Sequence, residues 1–407
     1  MTMPDTGMEG TPTMENEETL FVDLAFSQRS KKGENICGDA FKYQKRREDG
    51  QLVAVLSDGL GSGVKANILA SMTATMALKF ETESEAQILH TAEIMMDALP
   101  ICQVRKISYA TFTIVHVGLN GIGRIIEMGN PEFILFHNGV PVEVVPREMA
   151  SPKWQNRAIK IYDLKMSASD RLIFFSDGIS QAGMGTAALP LGWHVKGCAE
   201  FVKQLLSRRP DISSHELSEE ILREALRKEP GYMAGDDMTC GVAYFRHPKK
   251  MLLFTGPPFD RKKDAYCAET IATFDGDIVI CGGTTAEIIS RELKRELTMD
   301  LSHFDTEIPP MSKMDGIELV TEGIFTLTKT AQYLENFDGI SRENPAGRLT
   351  DILLKNDIIE ILVGTRINEA HQDPNLPLDL ELRRNIVKRI AAVLEKVFLK
   401  EVDIKYV

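Results

Sequence analysis

The sequence predicts an α+β layered fold followed by a smaller α/β domain, and three observations carry that prediction. Helical periodicity over 64–99 gives way to β-rich runs joined by Asn-Gly turns, and helices then return over 199–227. His247-Pro248-Lys249-Lys250 combines a proline with charge and breaks the last strand of this first portion. Beyond it, strand and helix alternate to the C-terminus, the pattern of βαβ units. A chain of 407 residues exceeds one typical core, so two domains, 20–247 and 251–407, are expected.

In the first portion a strand is expected over Phe21–Phe26, followed by the polar loop Ser27–Glu34. The loop Ser57-Asp58-Gly59-Leu60-Gly61-Ser62-Gly63 has glycine at every second position, so its backbone turns tightly and can approach a ligand. The spacing then predicts a helix over Val64–Phe80 with Ile68, Leu69, Met72, Met76 and Phe80 on one face, and a second over Glu85–Leu99 that Pro100 ends. Tyr109–Leu119, Gly123–Met128, Phe133–Phe136 and Val140–Val145 are separated by Asn120-Gly121 and Asn138-Gly139, and read as an antiparallel meander. Strands near Ile159–Leu164 and Leu172–Ser176, and helices over Ala199–Leu206 and Ser214–Arg227, complete the portion.

The second portion reads as a strand over Ile278–Cys281 and a helix to about Leu297. Ile317–Val320 leads to a helix near Tyr333, and another helix spans Pro345–Lys355. A strand over Ile358–Val363, a helix over Leu382–Leu399 and a strand near Val402–Val407 follow. Gly282-Gly283-Thr284-Thr285 and Gly364-Thr365-Arg366 both follow strands. Each suits either an anion at a helix start or simple turning and capping, and neither completes a P-loop or a dinucleotide fingerprint. A regulatory or ligand-binding role for 251–407, with a small-molecule effector, is the expectation.

Composition narrows the function. The chain is 43% hydrophobic and 26% charged with a net charge of −12, which argues against a nucleic-acid binder. No run is apolar for long enough to span a membrane. Residues 1–19 lack the basic start and apolar core of a signal peptide and are expected to be a disordered lead-in to a cytoplasmic protein. The six cysteines are scattered, without metal-ligand spacing, and read as reduced thiols.

The chemistry is concentrated in four acidic knots. Val53–Leu56 and Leu172–Phe175 both run into Ser-Asp-Gly, at Asp58 and Asp177; Gly38-Asp39 precedes the first, and Gly235-Asp236-Asp237-Met238-Thr239 lies further on. Carboxylates at strand ends are fixed by the sheet yet open to the loops above it. Such an oxygen-rich set suits Mg²⁺ or Mn²⁺. Two such cations about 3.5–4 Å apart would activate a water for in-line attack at phosphorus and neutralise its oxygens. A single Asp-Gly after a strand is more often an Asx turn; four in one chain favour a metal cleft. Ser57 and Ser176 lack a nucleophile elbow and are expected to hydrogen-bond within their turns. His116 and His137 read as structural or surface residues, and Arg29, Lys31 and Lys32 as a solvated charge run.

These motifs, in this order, resemble those of the metal-dependent protein phosphatases, the superfamily of protein phosphatase 2C. The resemblance is to its bacterial sporulation-phosphatase (SpoIIE-type) branch and covers about Phe21–Arg246. It implies an αββα sandwich that holds two Mn²⁺ or Mg²⁺ ions. Asp58 would bridge the metals, Asp177 and Asp236 would hold the first, and the Gly59 carbonyl would bind the second. Asp39 would act there through water, and Asp237 would take the neighbouring role. The resemblance further implies hydrolysis of phosphoserine or phosphothreonine on a regulatory protein, such as an anti-sigma-factor antagonist, and a homodimer as a candidate assembly. The sequence departs from the family in the loop Ile179–Gly185 and in lacking a clear phosphate-binding arginine. Alternative readings are a catalytically weak signalling scaffold and a two-metal hydrolase of small phosphate esters.

Overall fold

The protein is described from a computed structural model covering residues 19–46, 50–79, 85–98, 111–150, 158–300, 310–336, 344–366 and 376–407. The lead-in expected over residues 1–19 falls, apart from Thr19, outside the described residues, as do Phe80, Pro100 and Tyr109. The chain forms two compact units, Met1–His247 and Pro248–Val407.

The first unit opens with β1 (Phe21–Arg29), β2 (Ala40–Lys45), β3 (Leu52–Ser57), α1 (Gly63–Ala77) and α2 (Glu85–Ala98). The meander then runs β4 (Phe112–Val117), β5 (Ile122–Met128), β6 (Ile134–His137), β7 (Val140–Val142), β8 (Arg147–Ala150), β9 (Ala158–Lys165) and β10 (Arg171–Phe175). The short α3 (Asp177–Ser180), α4 (His194–Arg208), α5 (Ser214–Lys228) and β11 (Met238–Arg246) close the unit. Two antiparallel sheets result, in the orders β1-β11-β10-β6-β7 and β2-β3-β4-β5-β9-β8.

Strand alternation assigns each side chain to a layer. Ala54, Leu56, Val115, Val117 and Ile125 of the six-stranded sheet meet Leu172, Phe174, Ala243 and Phe245 of the five-stranded sheet in one core between them. The intervening Val53, Val55, Ile114 and Ile126 point the other way, onto α1 and α2. On the opposite flank Ile173, Phe175, Cys240 and Val242 pack on α4 and α5. The unit is an αββα sandwich.

Helix α1 buries a different face from the one its large apolar residues suggest. Ala66, Ala70, Ala74 and Ala77 are buried, whereas Ile68 and Met72 are exposed. Small side chains let the helix axis approach β2 and β3 closely, so the alanine stripe, not the bulky one, becomes the contact. Helix α5 follows its sequence signals closely, starting with a capping box in which Ser213 and Glu216 satisfy each other's backbone N–H groups.

The second unit contains β12 (Lys250–Thr255), α6 (Asp264–Thr273), β13 (Asp277–Cys281), α7 (Gly283–Leu293), β14 (Thr298–Met299), β15 (Ser312–Met314) and β16 (Ile317–Thr321). It continues with α8 (Ile324–Asn336), α9 (Pro345–Lys355), β17 (Ile358–Val363), α10 (Leu376–Lys396) and β18 (Glu401–Tyr406). Its sheet has the order β14-β15-β16-β13-β12-β17-β18, with β16, β13, β12, β17 and β18 mutually parallel. Leu252, Phe254 and Ile280 face α6 and α7, while Leu253, Val279 and Ile361 face α8, α9 and α10. Helices on both faces cover the central strands β12 and β13, which are buried and apolar along most of their length. The central strand β12 has no counterpart among the strands expected from sequence, because Lys249-Lys250 sits at its start. Helix α7 stops at Leu293, short of Leu297, where Lys294 takes a left-handed conformation.

Candidate metal centre

Register brings the acidic knots to one edge of the sandwich. In the six-stranded sheet Ala40 pairs with Ser57, so Asp39 and Asp58 leave adjacent strand ends side by side. In the five-stranded sheet Phe175 pairs with Cys240, so Asp177 and the Asp236-Asp237 knot also emerge together. Thr239 joins the two pairs: its hydroxyl donates to Asp39 Oδ2 at 2.7 Å. Gln28 Nε2 reinforces the junction by donating to Thr239 Oγ1 at 2.9 Å and to the Asp39 carbonyl at 3.2 Å.

Two glycines allow this convergence. A Cβ on Gly59 would lie 2.1 Å from the Ala66 carbonyl oxygen, and one on Gly178 would lie 2.1 Å from the Asp237 carbonyl oxygen. Neither position tolerates a side chain, because the opposing atom in each case is backbone.

The carboxylates perturb one another. Burial pushes the Asp39 carboxyl well above the usual range; hydroxyls of Ser176 and Thr239 oppose the rise, and the charges of Asp237 and Asp177 add to it. Burial also raises Asp58, assisted by the charges of Asp39, Asp177 and Asp236. The Asp177 carboxylate beside Asp58 adds to that rise. Asp177 is itself raised by burial and by Asp236, while Gln181 Nε2 donates to its Oδ2 at 3.0 Å. Like charges crowded in a poorly solvated edge favour protons or cations.

Asp236 and Asp237 have different surroundings. Asp237 is buried against Gly38, and its Oδ1 accepts the Lys31 backbone N–H at 3.0 Å. Asp236 is only partly buried; its charge acts on Asp58 and Asp177, and its Oδ1 lies 3.3 Å from Lys31 Nζ.

The donor set suits hard cations in its chemistry: all-oxygen, anionic, and with Asp39 Oδ1 and Asp237 Oδ2 buried without a hydrogen-bond partner. As placed, no three His, Cys, Asp or Glu side chains among the described residues close into a ready-made shell around one point. The edge gathers the ligand chemistry without a finished coordination geometry.

Other residues singled out from the sequence take different places. Ser57 and Ser176 do not bond within their turns: Ser57 Oγ donates to the Thr111 carbonyl at 2.8 Å, and Ser176 Oγ accepts the Thr239 N–H at 2.9 Å. Each is fully buried, and a buried hydroxyl is satisfied by whichever backbone the fold brings to it. His116 is buried away from the edge, with burial lowering its pKa to about 4; His137 pairs with Asp170 at 2.7 Å. Lys31, read from sequence as part of a solvated run, lies instead on the rim of the acidic edge. Its neighbours in sequence are polar and give no signal; only the approach of β1 to β11 places it there. Cys37, Cys198, Cys240, Cys267 and Cys281 are buried free thiols raised by burial, while Cys102 lies outside the described residues. No described helix is long and apolar enough to cross a membrane.

Several solved structures are similar to part of the chain. One is the phosphatase domain of the cell fate determinant SpoIIE from Bacillus subtilis, at 17% identity over 56% of this chain and 94% of that one, with a TM-score of 0.42. The RsbU and RsbW domains of Rv1364c from Mycobacterium tuberculosis align at 18% identity over 63% and 70%, with a TM-score of 0.46. The catalytic domain of the serine/threonine phosphatase PstP, solved in complex with two manganese ions, aligns at 13% identity over 56% and 100%, with a TM-score of 0.39. No curated protein sequence matches the chain at a significant level. Residues 48–246 match the family model of stage II sporulation protein E (SpoIIE), and the first unit, an αββα sandwich edged with acidic loops, resembles the SpoIIE-type branch of the metal-dependent, protein phosphatase 2C-like superfamily.

Proposed function

We propose that the first unit is a metal-dependent serine/threonine phosphoprotein phosphatase that uses two Mn²⁺ or Mg²⁺ ions. The observation that carries this reading is the gathering of Asp39, Asp58, Asp177 and Asp236 at one edge, where burial and the neighbouring charges raise the first three. Asp58 feels the charge of each of the other three, and its carboxylate would help to hold both cations. Asp177 and Asp236 would hold one cation, and Asp39 with the Gly59 carbonyl the other. Asp237 supports the edge from behind, through Gly38 and the Lys31 amide.

Bound cations would supply an activated water and neutralise charge on the phosphoryl oxygens. The protein's own part is positional. Thr239 and Gln28 lock Asp39, Gln181 orients Asp177, and Lys31 presents an ammonium at the rim where a substrate phosphate enters. Lys31 thereby offers the cation that the sequence lacked as an arginine. The family resemblance supports a phosphorylated regulatory protein as substrate, acted on in the cytoplasm. The second unit is assigned a regulatory role.

Hydrolysis of p-nitrophenyl phosphate, with and without Mn²⁺, tests the proposal on the wild type and Asp58→Asn. Activity is expected only with Mn²⁺, and to fall by at least about 100-fold in the variant. Asp58→Asn is also expected to melt no lower than wild type in EDTA, since one crowded charge is gone. Metal-independent turnover, or an active Asp58→Asn, would refute the assignment. Faster turnover of a phosphoserine peptide than of p-nitrophenyl phosphate separates a protein phosphatase from an esterase of small molecules.

A further inference from the structure

The parallel strands of the second unit run in the spatial order β16-β13-β12-β17-β18. The chain moves outward from β12 through β13 to β16, then returns to the other side of β12 with β17. In open α/β sheets such a reversal marks where ligands bind, beyond the carboxyl ends of the strands. Here the loops after β12 and β17 are closed on each other. Gly364 N–H donates to the Thr255 carbonyl at 2.8 Å, and Arg366 N–H to the Pro257 carbonyl at 3.1 Å. Pro257 and Pro258 have no N–H groups, so this loop offers few donors of its own.

The donors lie one strand over, at the start of α7. Gly282 leaves β13 with φ 134° and forms the N-cap without a side-chain hydrogen bond, so the first N–H groups of α7, from Gly283 to Thr285, have no intrahelical acceptor. The helices beside it begin differently: Glu322 Oε2 accepts from Phe325 N–H at α8, and Asn344 Oδ1 from Gly347 N–H at α9. Thr285 is 1% exposed, and its buried hydroxyl has no hydrogen-bond partner. It lies 3.1 Å from where a Cβ on Gly282 would sit, so it turns back toward the helix start and into the space that glycine leaves. The Gly256 amide nitrogen is 4.0 Å from that same position.

Positive charge borders the loops. The Arg383 guanidinium packs over Gly256, with Nη1 2.7 Å from a Cβ built there. Arg366, immediately past β17, keeps its Nη1 buried and without a partner. Free amides at a helix start, a buried unpaired hydroxyl and two guanidiniums together match an oxyanion.

We propose that the carboxyl edge of the second unit's sheet holds a phosphate group, bound by the α7 N-terminus and Thr285, with Arg366 and Arg383 as its charge partners. The site draws on no residue of the first unit's acidic edge. Inorganic phosphate and the phosphate of a small phosphorylated molecule present the same chemistry to it.

The test is calorimetric titration of the full chain, in EDTA so that the cation-dependent edge is silent, with inorganic phosphate, pyrophosphate and ADP as probes. Saturable binding of phosphate at one site is expected. Thr285→Val removes only the hydroxyl and should weaken binding about fivefold. Gly283→Pro removes an amide donor at the first helical position, where a proline nitrogen forfeits no intrahelical hydrogen bond, and should weaken it similarly. Gly283→Ala, whose Cβ meets nothing within 4 Å, should bind as wild type does. ADP or pyrophosphate binding tighter than phosphate assigns the site to a phosphorylated molecule; equal binding assigns it to free phosphate. Absence of phosphate binding, or binding unchanged in both Thr285→Val and Gly283→Pro, overturns the proposal. All three variants should retain Mn²⁺-dependent hydrolysis, which separates this result from any failure of the phosphatase reading.

Discussion

The hydroxyl of Thr239, at the start of β11, donates to Asp39 Oδ2 at 2.7 Å, so one side chain ties the entry of β2 in one sheet to a strand of the other. The two residues are 200 positions apart in sequence. The junction links Asp39, from the six-stranded sheet, to the backbone that carries Asp236 and Asp237 just ahead of β11 in the five-stranded one.

Thr239→Val keeps the shape of the side chain and removes the hydroxyl. Asp39 Oδ2 loses a partner in a buried setting, and Gln28 Nε2 loses one of its two acceptors. The variant is expected to lose about 1–3 kcal/mol in urea unfolding and to need more Mn²⁺ for half-maximal activity. Unchanged stability together with an unchanged Mn²⁺ requirement would show that the junction does not hold the edge.

Gly178→Ala places a methyl group 2.1 Å from the Asp237 carbonyl oxygen. That oxygen belongs to the backbone immediately before β11, so the clash is relieved only by moving the acidic knot. A loss of about 1–3 kcal/mol is expected in the same unfolding assay. Activity should fall further than stability does, and a fully active, fully stable variant would contradict the close approach.

Glu127 on β5 is 2% exposed, and its Oε1 accepts the Phe133 N–H at 3.3 Å. Burial pushes its pKa up to about 8, against weaker opposing contributions from Tyr162 and the Phe133 amide. The folded state therefore holds a proton that the unfolded chain releases near pH 4.5. Stability from this group is complete below the unfolded value, declines as pH rises toward 8, and is flat beyond. The decline has a slope of up to about 1.4 kcal/mol per pH unit. Glu127→Gln should remove that component, so the difference in unfolding free energy between variant and wild type should grow from pH 5 to pH 8. A pH-independent difference would mean that Glu127 titrates normally.

Much of this was legible along the chain, for physical reasons. Asn120-Gly121 and Asn138-Gly139 fix hairpins locally, and Ser213 with Glu216 caps α5 from within one turn. Apolar runs that end on Ser-Asp-Gly mark strand ends whatever they pack against. The face that α1 buries was not legible, because Ala70 and Ala74 become a contact surface only when a sheet lies within reach of a short side chain. Central strand β12 was hidden by the lysines at its start, and its burial on both faces depends on helices that follow it in sequence.

The sequence by itself determined which residues could serve: short carboxylates after strands, glycines beside them, and hydroxyls ahead of a helix. Tertiary structure alone decided which of them meet. Strand register set Asp39 beside Asp58 and Asp177 beside Asp236, and the stacking of the two sheets joined the pairs through Thr239. It also drew Lys31 out of a run of ordinary charges and turned the Thr285 hydroxyl inward without a partner. Local pattern encodes conformation within a few residues, whereas contacts between distant segments depend on how whole layers bury their apolar faces.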